Sequence, residues 1–266
     1  MQDVLLTIQG ASVYTLSAFV LLAFLWSSFV FYKKSIEYHE NEDVVFNAIL
    51  LMGILSFVFA RAWFVLGNLG SFIGHWIRVF FMKEYPGMSG WGVVVGVLVA
   101  VIFLVRKTKK DLYKLLDLAS LGLSAGIPIV YAAKGALEIE PMILGLISAE
   151  LAKGLLLALW FFFLWWAEGE YRTFEWYRFR KTQARTGFVT GVFMFGFGLI
   201  NLLVELLINR NALWPVYVGI VVVGLLVVYI RSERRVKKDL ELLIKSIKGL
   251  SINKKSFKWP KIVKRK

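Results

Sequence analysis

Six ionisable residues stand in or beside the apolar runs of this chain: Arg61, Lys134, Glu138, Glu150, Lys153 and Glu205. Charge held among apolar side chains is costly, so such groups face a partner, a cavity or a functional site. Arginine and lysine suit a phosphate, the former through its planar bidentate fork. A carboxylate suits proton acceptance or the orientation of a cation. The plainer alternative is mutual neutralisation, with Arg61 paired to Glu150 or Glu205. Glu150 and Lys153, three residues apart, could likewise satisfy each other on one helix face. Other chemistries are closed off. With no cysteine there is no disulfide, thiolate nucleophile or cysteine metal site, and His39 and His75 alone make no metal cluster. Neither a metal nor a cofactor is expected.

The elements that must hold these groups are long apolar runs. Of the 266 residues, 58% are hydrophobic and 16% aromatic, a membrane composition. The runs fall at about 11–32, 44–68, 87–105, 118–133, 142–166, 187–208 and 212–230, which predicts an all-α polytopic membrane protein of seven transmembrane helices. The start, MQDVLLTIQG, lacks a basic region ahead of its apolar residues, so a cleaved signal peptide is not expected. Of 32 Lys and Arg residues, 26 fall in one alternating set of flanking segments and 4 in the other. That asymmetry predicts the N-terminus outside, the C-terminus cytoplasmic, and a bacterial-type inner membrane.

The net charge of +14 therefore has a membrane reading and no nucleic-acid one. Residues 1–230 form the expected membrane domain and 231–266 a basic tail. Within the tail, Val236, Leu240, Leu243, Ile244 and Ile247 recur at helical spacing among cations, as in a helix lying on an anionic inner leaflet. The aromatic loop GSFIGHWIRVFFMKEY (70–85) is too short to span and return, and reads as interfacial or re-entrant.

Threading the spans through this topology gathers the polar residues toward one side. Glu150 lies about 12 Å into an inward-running helix. Glu205 sits near the outer end of the sixth span with Asn201 one turn below it, and Tyr14 opens the first. PGMSGWGVVVG (86–96), with Ser89, Trp91 and Gly92, opens the third. Pro128 with its neighbouring glycines fits a broken helix lining an outward-facing polar pocket.

In that order of landmarks the chain resembles the bacterial prolipoprotein diacylglyceryl transferases. FARAWFVL (59–66) is similar to the family's Gly-Ala-Arg stretch, retaining Arg61. PGMSGWGVVVG is similar to its Gly-Met-Ser-Phe-His-Gly-Gly segment. SAELAKGLLLALWFFFLWW (148–166) resembles its glutamate-led fifth span, and FGFGLINLLVELLINR (195–210) its Arg-Phe-x-x-Glu span. The family motif Gly-Arg-x-Gly-Asn-Phe-x-Asn-x-Glu falls on IVYAAKGALE (129–138), where Glu138 survives and Val130 replaces the arginine. Trp91 stands at the histidine position and Asn201 at the other arginine.

The resemblance implies transfer of diacylglycerol from phosphatidylglycerol to the lipobox cysteine thiol of a lipoprotein precursor. Lys134, one turn beyond Val130, and Arg61 are then the expected phosphate cations, with Glu138 as a catalytic carboxylate. Tyr14, Ser89, Trp91, Gly92, Glu150, Asn201 and Glu205 line the expected substrate site. Expected partners are a phosphatidylglycerol-like phospholipid, the precursor peptide and the anionic leaflet under the tail. Because Val130, Asn201 and Trp91 remove two cations and a base, a non-catalytic descendant that binds lipid or assembles in the membrane is the alternative. A small transporter is the weaker one.

Overall fold

The computed structural model describes residues 4–8, 11–80, 87–137, 141–143, 146–173, 186–208 and 213–232. A short antiparallel hairpin, β1 (Val4–Ile8) with β2 (Ala11–Tyr14), leads directly into α1 (Thr15–Glu37). There follow α2 (Glu42–Gly67), the single turn α3 (Leu69–Phe72), a 3-10 turn (Trp76–Val79), α4 (Gly90–Thr108) and α5 (Leu112–Leu137). A second small hairpin, β3 (Met142–Ile143) with β4 (Ile147–Ser148), precedes α6 (Ala149–Thr173), α7 (Phe188–Leu207) and α8 (Trp214–Arg231). Seven of these helices are long and apolar enough to cross a membrane.

The spans match the hydropathic runs in number and order, with three differences. The fifth run, expected from 142, becomes helical only at Ala149, after the β3–β4 hairpin. The first helix begins at Thr15, because residues 11–14 pair with 4–8 as strands despite their apolar composition. The fourth is longer than its apolar stretch and continuous through Pro128, so α5 is not a broken helix. Proline removes one intrahelical donor, and here the ladder runs on around it. The basic tail from residue 233 onward, with its predicted surface helix, lies outside the described residues, as does Glu138.

α5 is the most buried helix and the axis of the bundle. α1 lies against it at Gly122 and Gly126, where the Ser27 hydroxyl donates to the Gly122 carbonyl. α6 approaches its other side, where Gly135 faces Leu151 and Gly154 faces Ala132 and the Pro128 carbonyl. One core cluster joins Phe31, Val45, Val101 and Leu118 of α1, α2, α4 and α5. Another joins Val30, Leu121, Phe161, Leu164 and Val189 of α1, α5, α6 and α7. Leu, Val and Phe side chains on the remaining faces are exposed, as on a bundle whose outer surface meets lipid.

The glycines of PGMSGWGVVVG have a packing role. A side chain on Gly92 would collide with the Phe59 carbonyl and Ala60, and one on Gly96 with Leu55 and Ser56. Spaced four apart, they form the small-residue seam that lets two membrane helices touch backbone to backbone. α2 and α4 are locked there, and the Ser89 amide donates to the Ala60 carbonyl at 3.0 Å.

At the end of the bundle holding the α5 N-terminus, polar groups act as fasteners. Asp117, buried on α5, accepts from the Gly187 amide at 2.6 Å, the Thr190 amide at 2.8 Å and the Thr190 hydroxyl at 2.7 Å. It thus caps the start of α7 from a different helix. Lys34 pairs with Glu168 and sits over the Trp165 ring. Glu40, in the α1–α2 loop, pairs with Lys110 and, at 2.7 Å, with Lys114.

Candidate functional site

Successive spans alternate in direction, so the starts of α4, α6 and α8 and the ends of α5 and α7 share the opposite end of the bundle. Glu150 is in the first turn of α6, Trp91 in that of α4 and Tyr217 in that of α8, while Glu205 is in the last turn of α7. Buried Lys153, 3% exposed, donates to Glu150 Oε1 at 3.0 Å and to Glu205 Oε1 at 3.2 Å. Its ammonium lies 5.9 Å from the centre of the Tyr131 ring. The Tyr131 hydroxyl donates to Asn201 Oδ1 at 3.2 Å, and Asn201 Nδ2 donates to the Phe197 carbonyl at 2.8 Å. Tyr217 stacks at a tilt against Trp91, with ring centres 6.3 Å apart.

The i,i+3 pair anticipated on the sixth helix forms, and Glu205 joins it from α7. Among the described residues, Lys153 is the only cation within ion-pair distance of either carboxylate. Two carboxylates and one ammonium give the cluster a formal charge of −1. The second oxygen of each carboxylate and the Tyr217 hydroxyl have no hydrogen-bond partner among the described residues.

The sequence-predicted residues divide into two groups. Glu150 and Glu205 meet on Lys153, Asn201 joins them through Tyr131, and Trp91 lies against Tyr217 at the same end of the bundle. Arg61 lies elsewhere, buried at the α2–α4 seam and stacked between Phe64 and Phe72, each ring centre 5.6 Å away. Its guanidinium donates to the Val79 carbonyl at 2.9 Å, the Gly87 carbonyl at 2.9 Å and the Arg78 carbonyl at 3.2 Å. That fork fastens the interfacial loop to α2. The loop, with its 3-10 turn, leaves Ile77 and Phe80 exposed, which suits an interface. Ser89 and Gly92 belong to the same seam. Lys134 is exposed near the end of α5, with no hydrogen bond or ion pair among the described residues. Tyr14 ends β2, opposite Val4.

Lys153, Tyr131 and Tyr217 are the members that sequence reasoning did not place in the site. Lys153 carried a signal as an ionisable residue inside a span, and had been read only as a neutraliser of Glu150. The tyrosines carried none, among 10 Tyr, 10 Trp and 22 Phe.

Fold and site together define a seven-helix membrane protein with a buried ionic cluster close to one end of its bundle. Its sequence is similar to one family in particular: the model for prolipoprotein diacylglyceryl transferase matches residues 3–132, from the first hairpin into α5. Two proteins called phosphatidylglycerol–prolipoprotein diacylglyceryl transferase, from Thermoanaerobacter sp. and Thermoanaerobacter pseudethanolicus, are each 26% identical over 212 residues, covering 76% of both chains. One of the same name from Caldanaerobacter subterraneus is 29% identical over 114 residues, 42% of this chain and 44% of that one. The chain is thus a diacylglyceryl transferase-like, multi-pass protein of a bacterial cytoplasmic membrane.

Proposed function

We propose that the protein transfers a diacylglyceryl group from a glycerophospholipid, phosphatidylglycerol in the relatives' name, to the lipobox thiol of a lipoprotein precursor. The single observation behind this reading is the cluster of Lys153, Glu150, Glu205, Tyr131 and Asn201, drawn from three helices into one place. Glu205 accepts the thiol proton. The sulfur forms a C–S bond to the glycerol carbon as that carbon's bond to the phosphate oxygen breaks, and the headgroup phosphate leaves with the electron pair. The Lys153 ammonium swings from a carboxylate to that oxygen as charge develops. Asn201 holds the Tyr131 ring against Lys153, and Arg61 acts at a distance by holding the loop before α4.

The cluster end faces outward, where a secreted precursor presents its thiol, and the basic tail of residues 231–266 rests on the anionic inner leaflet. The chain has no cysteine, so single cysteines introduced at Gly70 and Ser251 report sidedness through a membrane-impermeant thiol reagent. Labelling at position 70 alone in intact cells is the expected result.

The test of activity is the purified protein with a lipobox peptide and vesicles of mixed bacterial phospholipids. The expected result is a diacylglyceryl mass increment on the peptide thiol, lowered by about 10²–10⁴ in rate in Glu205→Gln. No increment under any lipid composition overturns transfer. That outcome selects the second reading, a lipid-binding protein without transfer chemistry, which the Trp91 ring at the third-span position and the doubly paired state of Lys153 favour.

A further inference from the structure

The ionic cluster carries more information than the presence of a lipid site, because its charge has the wrong sign for an anionic headgroup. Two carboxylates share one ammonium, and neither has a second cation among the described residues. Val130 and Asn201, on α5 and α7, add no charge. An anionic headgroup brought to Lys153 would meet Glu150 and Glu205 on either side of it, and like charges at such range in a poorly solvated site repel strongly.

The groups left open are those that bind an ammonium. One oxygen of each carboxylate is unused. Tyr217 is a second, independent group beside the open carboxylate oxygens. It is 95% buried by its 5% exposure, its hydroxyl makes no hydrogen bond among the described residues, and it lies in the field of Glu150 and Glu205. The Tyr131 ring borders Lys153, which sits in the field of its face, and the Tyr217 ring lies against that of Trp91. Aromatic faces beside carboxylates form the usual surroundings of a bound amine.

We propose that this site selects a phospholipid whose headgroup bears an ammonium, of the ethanolamine class, over one with an uncharged glycerol headgroup. The lipid phosphate displaces a carboxylate from Lys153. The freed carboxylate and the Tyr217 hydroxyl take the headgroup ammonium, so the zwitterion adds no net charge. This rests on the reading of the cluster as a lipid site and names the lipid it prefers.

The test is binding of the full chain, purified in detergent, to phosphatidylethanolamine and phosphatidylglycerol of matched acyl chains, read by native mass spectrometry. A preference for the ethanolamine lipid on the order of tenfold is expected, the size of one charge-assisted hydrogen bond. Glu205→Gln erases the preference by weakening binding of the ethanolamine lipid. Should that variant fail to fold, Tyr217→Phe lowers the preference several-fold in a protein of unchanged charge. Equal binding, preference for the glycerol lipid, or a preference untouched by both variants overturns the proposal. Glycerophosphoethanolamine in solution separates sources: binding of the free headgroup without binding of the lipid also overturns it. Thiol transfer is scored separately. Selectivity without transfer sinks the transferase reading alone, and transfer from either lipid without selectivity sinks this one alone.

Discussion

Asp117 and Glu205 are both buried carboxylates on spanning helices, at opposite ends of the bundle, and their surroundings differ in kind. Both oxygens of Asp117 are occupied by three donors from the start of α7. Glu205 uses one oxygen, on a lysine it shares with Glu150. The first arrangement is closed, and its product is a fixed helix. The second is short of one positive charge and holds open acceptors beside an unpartnered hydroxyl. A satisfied buried polar group specifies structure. An unsatisfied one marks a place where something else binds, and residue type does not distinguish the two.

The largest effect expected is from Lys153→Met, which leaves buried Glu205 and partly buried Glu150 without their shared cation. Removing one partner of a buried ion pair costs about 3–5 kcal/mol, so thermal unfolding in detergent should show a collapse of stability. The comparison is sharpest in an equal chemical change at both ends. Asp117→Asn replaces acceptor capacity with donors facing donors, and should cost about 2 kcal/mol. Glu205→Gln removes the excess negative charge while keeping an acceptor for Lys153, and should leave the unfolding temperature unchanged or raised. If both variants unfold alike, the distinction between a closed and an open site is wrong. Between these lies Gly96→Ala, which drives a methyl into the α2 backbone and should cost about 1–3 kcal/mol.

The smallest effect is titratable. Burial alone would raise the Glu40 carboxyl, but Lys110 and Lys114 outweigh it and hold the group below the ordinary carboxylate range. Its contribution is therefore complete above that range and is lost as pH falls through the lowered value. It amounts to less than about 1 kcal/mol. Unfolding of wild type and Lys114→Ala should converge in acid and separate near neutrality.

The bundle was legible because hydropathy over twenty residues is a strong signal that packing seldom overrides. What escaped were features that depend on partners far along the chain. Residues 11–14 look like the beginning of a helix, since they run into α1 without punctuation, yet they form β2. Pro128 looked like a break, yet a tightly packed α5 carries it. Arg61 stood out in a familiar stretch and was read as a phosphate cation. Its fork is matched to three carbonyls of a loop that sequence alone leaves undrawn. Lys153 appeared as one of a local pair, and only the placement of α7 shows it shared by two acids. The glycines of the third span signal a close approach to its backbone, and only the fold shows that α2 makes that approach at Gly92 and Gly96.

The cap that Asp117 supplies to α7 crosses 70 residues of chain. During synthesis α5 therefore enters the bilayer with an acid whose donors have yet to be made. Until Gly187 and Thr190 are made, none of the three donors that hold that carboxylate is present. Completion of the bundle is thus registered at a single side chain in its axis. A chain stopped before residue 187 would lack all three of the hydrogen bonds that close this carboxylate.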